Sequence, residues 1–118
     1  MSAEALRALQ HRLAEFAAAR DWQKFHSPKN LAMALSVEAA ELVEEFQWLT
    51  EGESRALGAD RHERVRLELA DVFIYLLRIA DVLGVDLLRA AEDKVALNEA
   101  KYPAERVRGD ARKYTEYE

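Results

Sequence analysis

Two segments carry acids where a helix would turn apolar residues toward a core. Glu38 and Glu41 interrupt SVEAAELVEEFQW, residues 36–48, and Glu68 and Asp71 interrupt VRLELADVFIYLL, residues 65–77. An ionised carboxylate withdrawn from water costs on the order of several kcal/mol unless something compensates it. Residues at i+3, i+4 and i+7 share a helix face. Leu31, Leu35, Glu38, Leu42 and Glu45 therefore form one stripe, with Glu41 on its flank. Val65, Glu68, Val72, Tyr75 and Ile79 form its equivalent, flanked by Asp71. The three-residue spacing within each pair points both carboxylates the same way.

With 22 acids in 118 residues, some pairs at this spacing arise by chance, and Glu51, Glu53 and Glu63 read as an ordinary solvated face. The two stripe pairs differ, because their neighbours along the helix axis are apolar on both sides. The nearest cations on that face, Arg61 and Arg64, stand a turn or more away. Four carboxylates converging between two helices repel one another unless they are protonated or coordinated. Hard oxygen ligands with room for retained water are what Mg²⁺ favours, and four negative charges balance two such ions. A di-iron bundle would instead require Glu-x-x-His repeats. None of His11, His26 and His62 has a Glu three residues before it. A carboxylate-held Mg²⁺ site suits phosphate chemistry, in which water displaces a phosphate oxygen in line. No Walker-type glycine loop is present.

These acids need two long helices to position them. Ser2 caps a first helix reaching about Arg20, with Leu6, Leu9, Leu13 and Phe16 on its apolar side. DWQKFHSPKN, residues 21–30, breaks the pattern, and Ser27 followed by Pro28 opens a second helix reaching about Leu49. TEGES ends it. Asp60 with Glu63 has the polarity of a capping box and opens a third helix to about Leu83, with Gly84 in the left-handed position beyond. Asp86 opens a fourth to about Lys101, before Pro103. The tail, residues 104–118, is too polar to form a core element alone. The expectation is all-α: one domain over residues 1–118, an antiparallel four-helix bundle. Segments such as LAMAL and FIYLLRIADVL leave apolar surface to spare, as in a helical homo-oligomer, a dimer or tetramer.

Composition narrows the class. A net charge of -5 argues against a nucleic-acid or anionic-membrane partner. The chain has no cysteine, which excludes disulfides and thiolate metal sites. No secretory signal or membrane span is read in the sequence, so a soluble, cytoplasmic protein is expected. Lys94, Asn98 and Lys101 share one face of the fourth helix, followed by Tyr102. By spacing alone that face is more often a solvated edge than a phosphate site. Trp22, Phe25 and His26 precede the second helix and Trp48 ends it. Tryptophans there are more often core or helix-end plugs, and a lone histidine more often a satisfied one, but together they suit the walls of a pocket for a planar ring.

E38-A-A-E41, 26 intervening residues, then E68-L-A-D71 resembles the ExxE…ExxD signature of the MazG-like, all-α nucleoside triphosphate pyrophosphohydrolases. DWQKFHSPKNLAMAL, ELVEEFQW, DVFIYLLRIADVLGVDL, NEAKYP and RGDARKYTEYE extend the likeness in order over nearly the whole chain, closest to the family's dCTP pyrophosphatase branch. The resemblance implies hydrolysis of a (deoxy)nucleoside triphosphate, dCTP or a modified dCTP first, to the monophosphate and pyrophosphate, cleansing the nucleotide pool. It implies Mg²⁺ on Glu38, Glu41, Glu68 and Asp71, with one of these or Glu44 or Glu45 taking the proton of the attacking water. Lys94, Asn98, Lys101 and Tyr102 match its KxxxNxxKYP segment, for phosphates and sugar. Trp22, His26 and Trp48 fall where that branch shapes its base pocket, and Arg108, Lys113 and Tyr114 of the tail would close over the phosphates, from the same or another subunit. The short polar stretch ALGADRHERV departs from the pattern and leaves base choice open. The same chemistry on another nucleotide such as dUTP, and a non-catalytic helical interaction module, are the alternatives.

Overall fold

A computed structural model describes residues 2–109, and those residues are helical throughout apart from short connections. The elements are α1 (Ala3–Ala19), a 3₁₀ turn (Gln23–Phe25), α2 (Pro28–Glu44), α3 (Glu51–Ser54), α4 (Ala59–Leu83), α5 (Leu87–Lys101) and α6 (Ala104–Val107). Two compact units divide the chain after Val85. The first contains α1 to α4, with α2 and α4 as its principal packing pair and α1 lying against α4. The second contains α5 and α6.

Local chemistry sets most of the helix ends. Ser2 and Ser27 accept backbone N–H groups from Ala5 and Asn30 at 3.0 and 3.1 Å, and Pro28 occupies a first-turn position that needs no N–H. Gly84 adopts φ 68°, and the Val85 N–H returns to the Ala80 carbonyl at 2.8 Å, closing α4 as the sequence predicts. Asp86 caps α5 through the Arg89 N–H at 3.1 Å.

Two boundaries differ from the sequence reading. The helix expected to reach Leu49 ends at Glu44. The Glu45 carbonyl, which would accept the Leu49 N–H in a continuing helix, accepts Nη1 of Arg61 at 2.5 Å instead. The Leu49 N–H turns back to Phe46 at 2.9 Å. Thr50 is then free to adopt the extended conformation of an N-cap. It forms a capping box with Glu53, its N–H donating to Oε1 at 2.8 Å and its Oγ1 accepting the Glu53 N–H at 3.1 Å. The box expected at Asp60 and Glu63 does not form. The N-cap lies two residues earlier, at Gly58, Asp60 sits in the first turn where it complements the helix dipole, and Glu63 pairs with Arg66 at 3.0 Å. In the polar tail, Ala104–Val107 form a single helical turn.

α2 and α4 run antiparallel. Arg64, near the start of α4, lies 3.1 Å from Glu45 at the end of α2. Arg78, in the far half of α4, donates through Nε to Nδ1 of His26, which precedes α2, at 3.1 Å. The buried apolar core among the described residues is small: Ala17, Leu31, Val65, Leu77 and Ala80. Met33, Val37, Val43, Leu67 and Leu69 are each more than half exposed.

Candidate functional site

The antiparallel pairing brings the middle of α2 against the middle of α4. Glu38 and Glu41 thereby meet Glu68 and Asp71, and one carboxylate oxygen from each lies within 4.8 Å of the others. Glu38, Glu41 and Glu68 are half-buried. Oε2 of Glu38 and Oε2 of Glu68 are buried without a hydrogen-bond partner among the described residues. Burial first, then the adjoining carboxyl of Glu41, with Asp71 and Glu68 adding to it, pushes the Glu38 carboxyl up to about 7. Glu68 is raised for the same reasons, burial first and then the charges of Glu41 and Asp71.

The neighbouring cations do not relieve this crowding. Arg61 and Arg64 are both drawn to Glu45, one turn beyond Glu41, at 3.5 and 3.1 Å from Oε1. Glu45 thus gathers the two guanidiniums at one end of the seam. A divalent cation fits the donor set: four hard oxygens, net negative, two of them buried and lacking donors.

A cavity of about 210 Å³ is lined by Leu13, Phe16, Ala17, Trp22, His26, Ile74, Tyr75 and Arg78. Tyr75 and Arg78 lie four and seven residues after Asp71, so the cavity continues the acid-bearing face of α4. Its aromatic wall depends on how α1 ends. Asp21 adopts φ 55°, a left-handed conformation that Asp tolerates better than most residues. The chain then folds back so that the Trp22 N–H reaches the Ala17 carbonyl at 2.9 Å. The Trp22 ring meets Phe16 edge-on at 5.7 Å, and Arg20 caps the Phe16 face at 3.6 Å. Burial, then the Arg78 charge, holds His26 below the ordinary histidine range.

The structure therefore unites the four acids and places Trp22 and His26 in one cavity. Trp48 is elsewhere: it is 87% exposed and lies beyond the opposite end of α2, a helix of roughly 25 Å. Within one chain the three aromatics do not wall one pocket. Lys94 and Asn98 stand on α5, Lys101 is its last residue, and Tyr102 is its C-cap, its N–H donating to the Asn98 carbonyl at 2.8 Å. Arg108 follows α6. Lys113 and Tyr114 lie outside the described residues. Arg78, the place of Tyr75 in the cavity wall and the pairing of Glu45 with Arg61 and Arg64 escaped the sequence reading, although Tyr75, Glu45 and both arginines were placed on the acid-bearing faces. The spacing of Tyr75 and Arg78 from Asp71 was the signal available for them.

Comparisons with known proteins bear on the family and the fold. Residues 33–117, which include all four acids and the KxxxNxxKYP segment, match the MazG-like family model. Human dCTP pyrophosphatase 1 is 50% identical over 105 residues, 87% of this chain and 62% of the human protein. The rat protein of the same name is 47% identical with the same coverage. The chain thus spans about three-fifths of the length of these curated relatives. A crystal structure of a pyrophosphatase from Archaeoglobus fulgidus superposes with a TM-score of 0.80 at 42% identity, over 84% of this chain and 93% of that one. With the family match spanning most of the sequence and all four seam carboxylates, this chain belongs to the MazG-like family.

Proposed function

We propose that this chain hydrolyses a (deoxy)nucleoside triphosphate, dCTP or a modified dCTP first among candidates, to the monophosphate and pyrophosphate. The observation that carries the reading is the α2–α4 seam, where four carboxylates gather with two buried oxygens that lack donors. Glu38, Glu41, Glu68 and Asp71 would hold Mg²⁺. When bound, the cation supplies Lewis acidity, neutralising charge on phosphate oxygens and making water more acidic. The oxygen of the attacking water bonds to the α-phosphorus, the bond from that phosphorus to the bridging oxygen breaks, and pyrophosphate leaves. A carboxylate oxygen of the chain accepts the water's proton. Glu45 is committed to Arg61 and Arg64, which leaves the seam acids and Glu44 for that part.

The cavity of Trp22, His26 and Tyr75 receives the base, Tyr75 standing one turn along α4 from Asp71, and the acids face the phosphates. By their match to the family segment, Lys94, Asn98, Lys101 and Tyr102 are assigned to phosphates and sugar, and Arg108, Lys113 and Tyr114 of the tail to the phosphates, from the same or another subunit. The working protein is a single-domain helical bundle assembled as a cytoplasmic dimer or tetramer, with no membrane or nucleic-acid partner. More than half-exposed Met33, Val37 and Leu67 support the assembly, as does Trp48, which is free to serve a second copy. No helix among the described residues is long and apolar enough to cross a membrane.

Product analysis tests the reading. The protein is incubated with Mg²⁺ and each canonical dNTP or 5-methyl-dCTP, and the products are resolved by anion exchange. Monophosphate plus pyrophosphate, fastest with a cytosine base, is the expected result. A faster reaction with another base keeps the chemistry and moves the substrate. Absence of product with every triphosphate overturns the enzyme reading in favour of a helical interaction module.

A further inference from the structure

Arg78 is deeply set for an arginine, with its side chain 11% exposed, and its side-chain hydrogen bonds among the described residues go to His26 and Asp81. Its Nε donates to Nδ1 of His26 at 3.1 Å, while Nη1 lies 3.5 Å from Asp81 one turn further along α4. A guanidinium has donors only. Nδ1 of His26 must therefore keep its lone pair toward Arg78, and in the neutral ring the proton resides on Nε2. Nε2 has no partner among the described residues, and His26 lines the cavity beside Trp22 and Tyr75. Asp81 stands at the outer limit of hydrogen-bond reach of the same guanidinium, so the short contact that orients the ring is the one from Arg78 Nε to His26 Nδ1.

We infer that Arg78 is a positioning residue for specificity: it locks His26 as an Nε2–H donor to the cavity, which then selects a ring with an acceptor on the facing edge. A pyrimidine carbonyl or unprotonated ring nitrogen satisfies that donor, and a ring edge bearing only N–H groups leaves it unpaired. Burial and the nearby guanidinium keep the ring neutral, so the donor is not shared with a charged form. The selection rests on the cavity being the base subsite proposed above, whereas the lock itself is a property of the unliganded chain.

The deciding experiment is nitrogen NMR of the full-length protein with ¹⁵N-labelled histidine rings, the His26 signals assigned with His26→Gln. The wild type should show an unprotonated Nδ1 and a protonated Nε2. Arg78→Gln retains an N–H at the side-chain position of Nε without the charge, and should keep that tautomer. Arg78→Met fills similar space without a donor and should lose it. With dCTP, Arg78→Met should raise KM about tenfold, the worth of one hydrogen bond, with kcat within about twofold, and Arg78→Gln should stay near wild type. A proton on Nδ1 in the wild type overturns the inference, and that spectrum needs no variant to fold. Identical ring signals and KM in the Gln and Met variants also overturn it, since packing alone would favour Met. A protein without turnover on any triphosphate sinks the functional reading, and the ring spectra still decide the lock.

Discussion

Glu38 and Glu68 each bury one carboxylate oxygen in the α2–α4 seam, and no hydrogen-bond donor among the described residues reaches either oxygen. Both groups are held above their ordinary range by burial first and by neighbouring acids second. Folding has gathered charge that a compact helix pair would otherwise avoid, and the consequences of that conflict are measurable.

The first concerns pH. Glu38 keeps its proton to about 7 when folded and titrates near its ordinary 4.5 when unfolded. Between these values the folded chain binds more protons than the unfolded one, so stability contributed by this group is complete below the lower value and lost as pH rises through the upper. Without divalent cations, the melting temperature should fall on going from about pH 5 to about pH 8. Mg²⁺ should recover the loss at the higher pH by taking the proton's place, because a ligand that binds only the folded state raises its stability. Thermal unfolding in EDTA and in Mg²⁺ across that range is the check. A flat EDTA profile would mean that the seam acids do not burden the fold.

Glu41→Gln separates function from folding. Removing one negative charge from a repelling cluster should leave the apo melting temperature unchanged or slightly higher. Turnover should drop at least about a hundredfold, since even changing a residue that only hydrogen-bonds a metal ligand costs about 10–100-fold. Circular dichroism melts and initial rates decide it together. Wild-type turnover in a folded variant would remove Glu41 from the metal site.

Glu45→Gln examines the acid that stands outside the cluster. Its carboxylate holds Arg61 and Arg64 at 3.5 and 3.1 Å, one turn beyond Glu41. Both arginines are well exposed at 37% and 52%, so breaking the pairs should cost only about 1 kcal/mol of stability or less. The larger effect should fall on Mg²⁺, because freed guanidiniums beside the seam compete with a cation for the same carboxylates. The Mg²⁺ concentration at half-maximal activity should rise about tenfold, as when a group that supports a metal ligand is removed. An unchanged Mg²⁺ requirement would assign the pairs to fastening α2 to α4 alone.

Which of these features the sequence could disclose depends on the range of the interactions that make them. Ser2, Ser27 with Pro28, Gly84 and Asp86 work within three or four residues, and each terminates or opens a helix where its chemistry says it should. The four acids were also legible, because a helical stripe is a local pattern and both stripes carry their acids three apart. The end of α2 was not legible, for it is fixed by Arg61 reaching a carbonyl sixteen residues away. The capping-box pattern occurs at Thr50/Glu53 and again, in polarity, at Asp60/Glu63, and only the first forms, since Arg66 takes Glu63. The cavity needed the reversal at Asp21, a non-glycine residue at positive φ, before Trp22 could fold back on Phe16. Nothing in residue type alone marks that reversal.

Trp48 provides the last test, of the assembly. At 87% exposure and beyond the opposite end of α2 from Trp22 and His26, it can join a base pocket only across an interface between copies. Trp48→Ala should therefore raise KM and blur base preference, leaving the maximal rate little changed. Mixing it with Glu41→Gln should then restore activity at low substrate. Some sites in the mixed assembly combine intact acids from one copy with Trp48 from the other, about a quarter of them under random pairing in a symmetric oligomer. Recovery of activity after co-refolding the two variants, measured against each alone, places Trp48 and the acids of one site on different chains. Strict additivity of the two defective preparations would return Trp48 to a surface role.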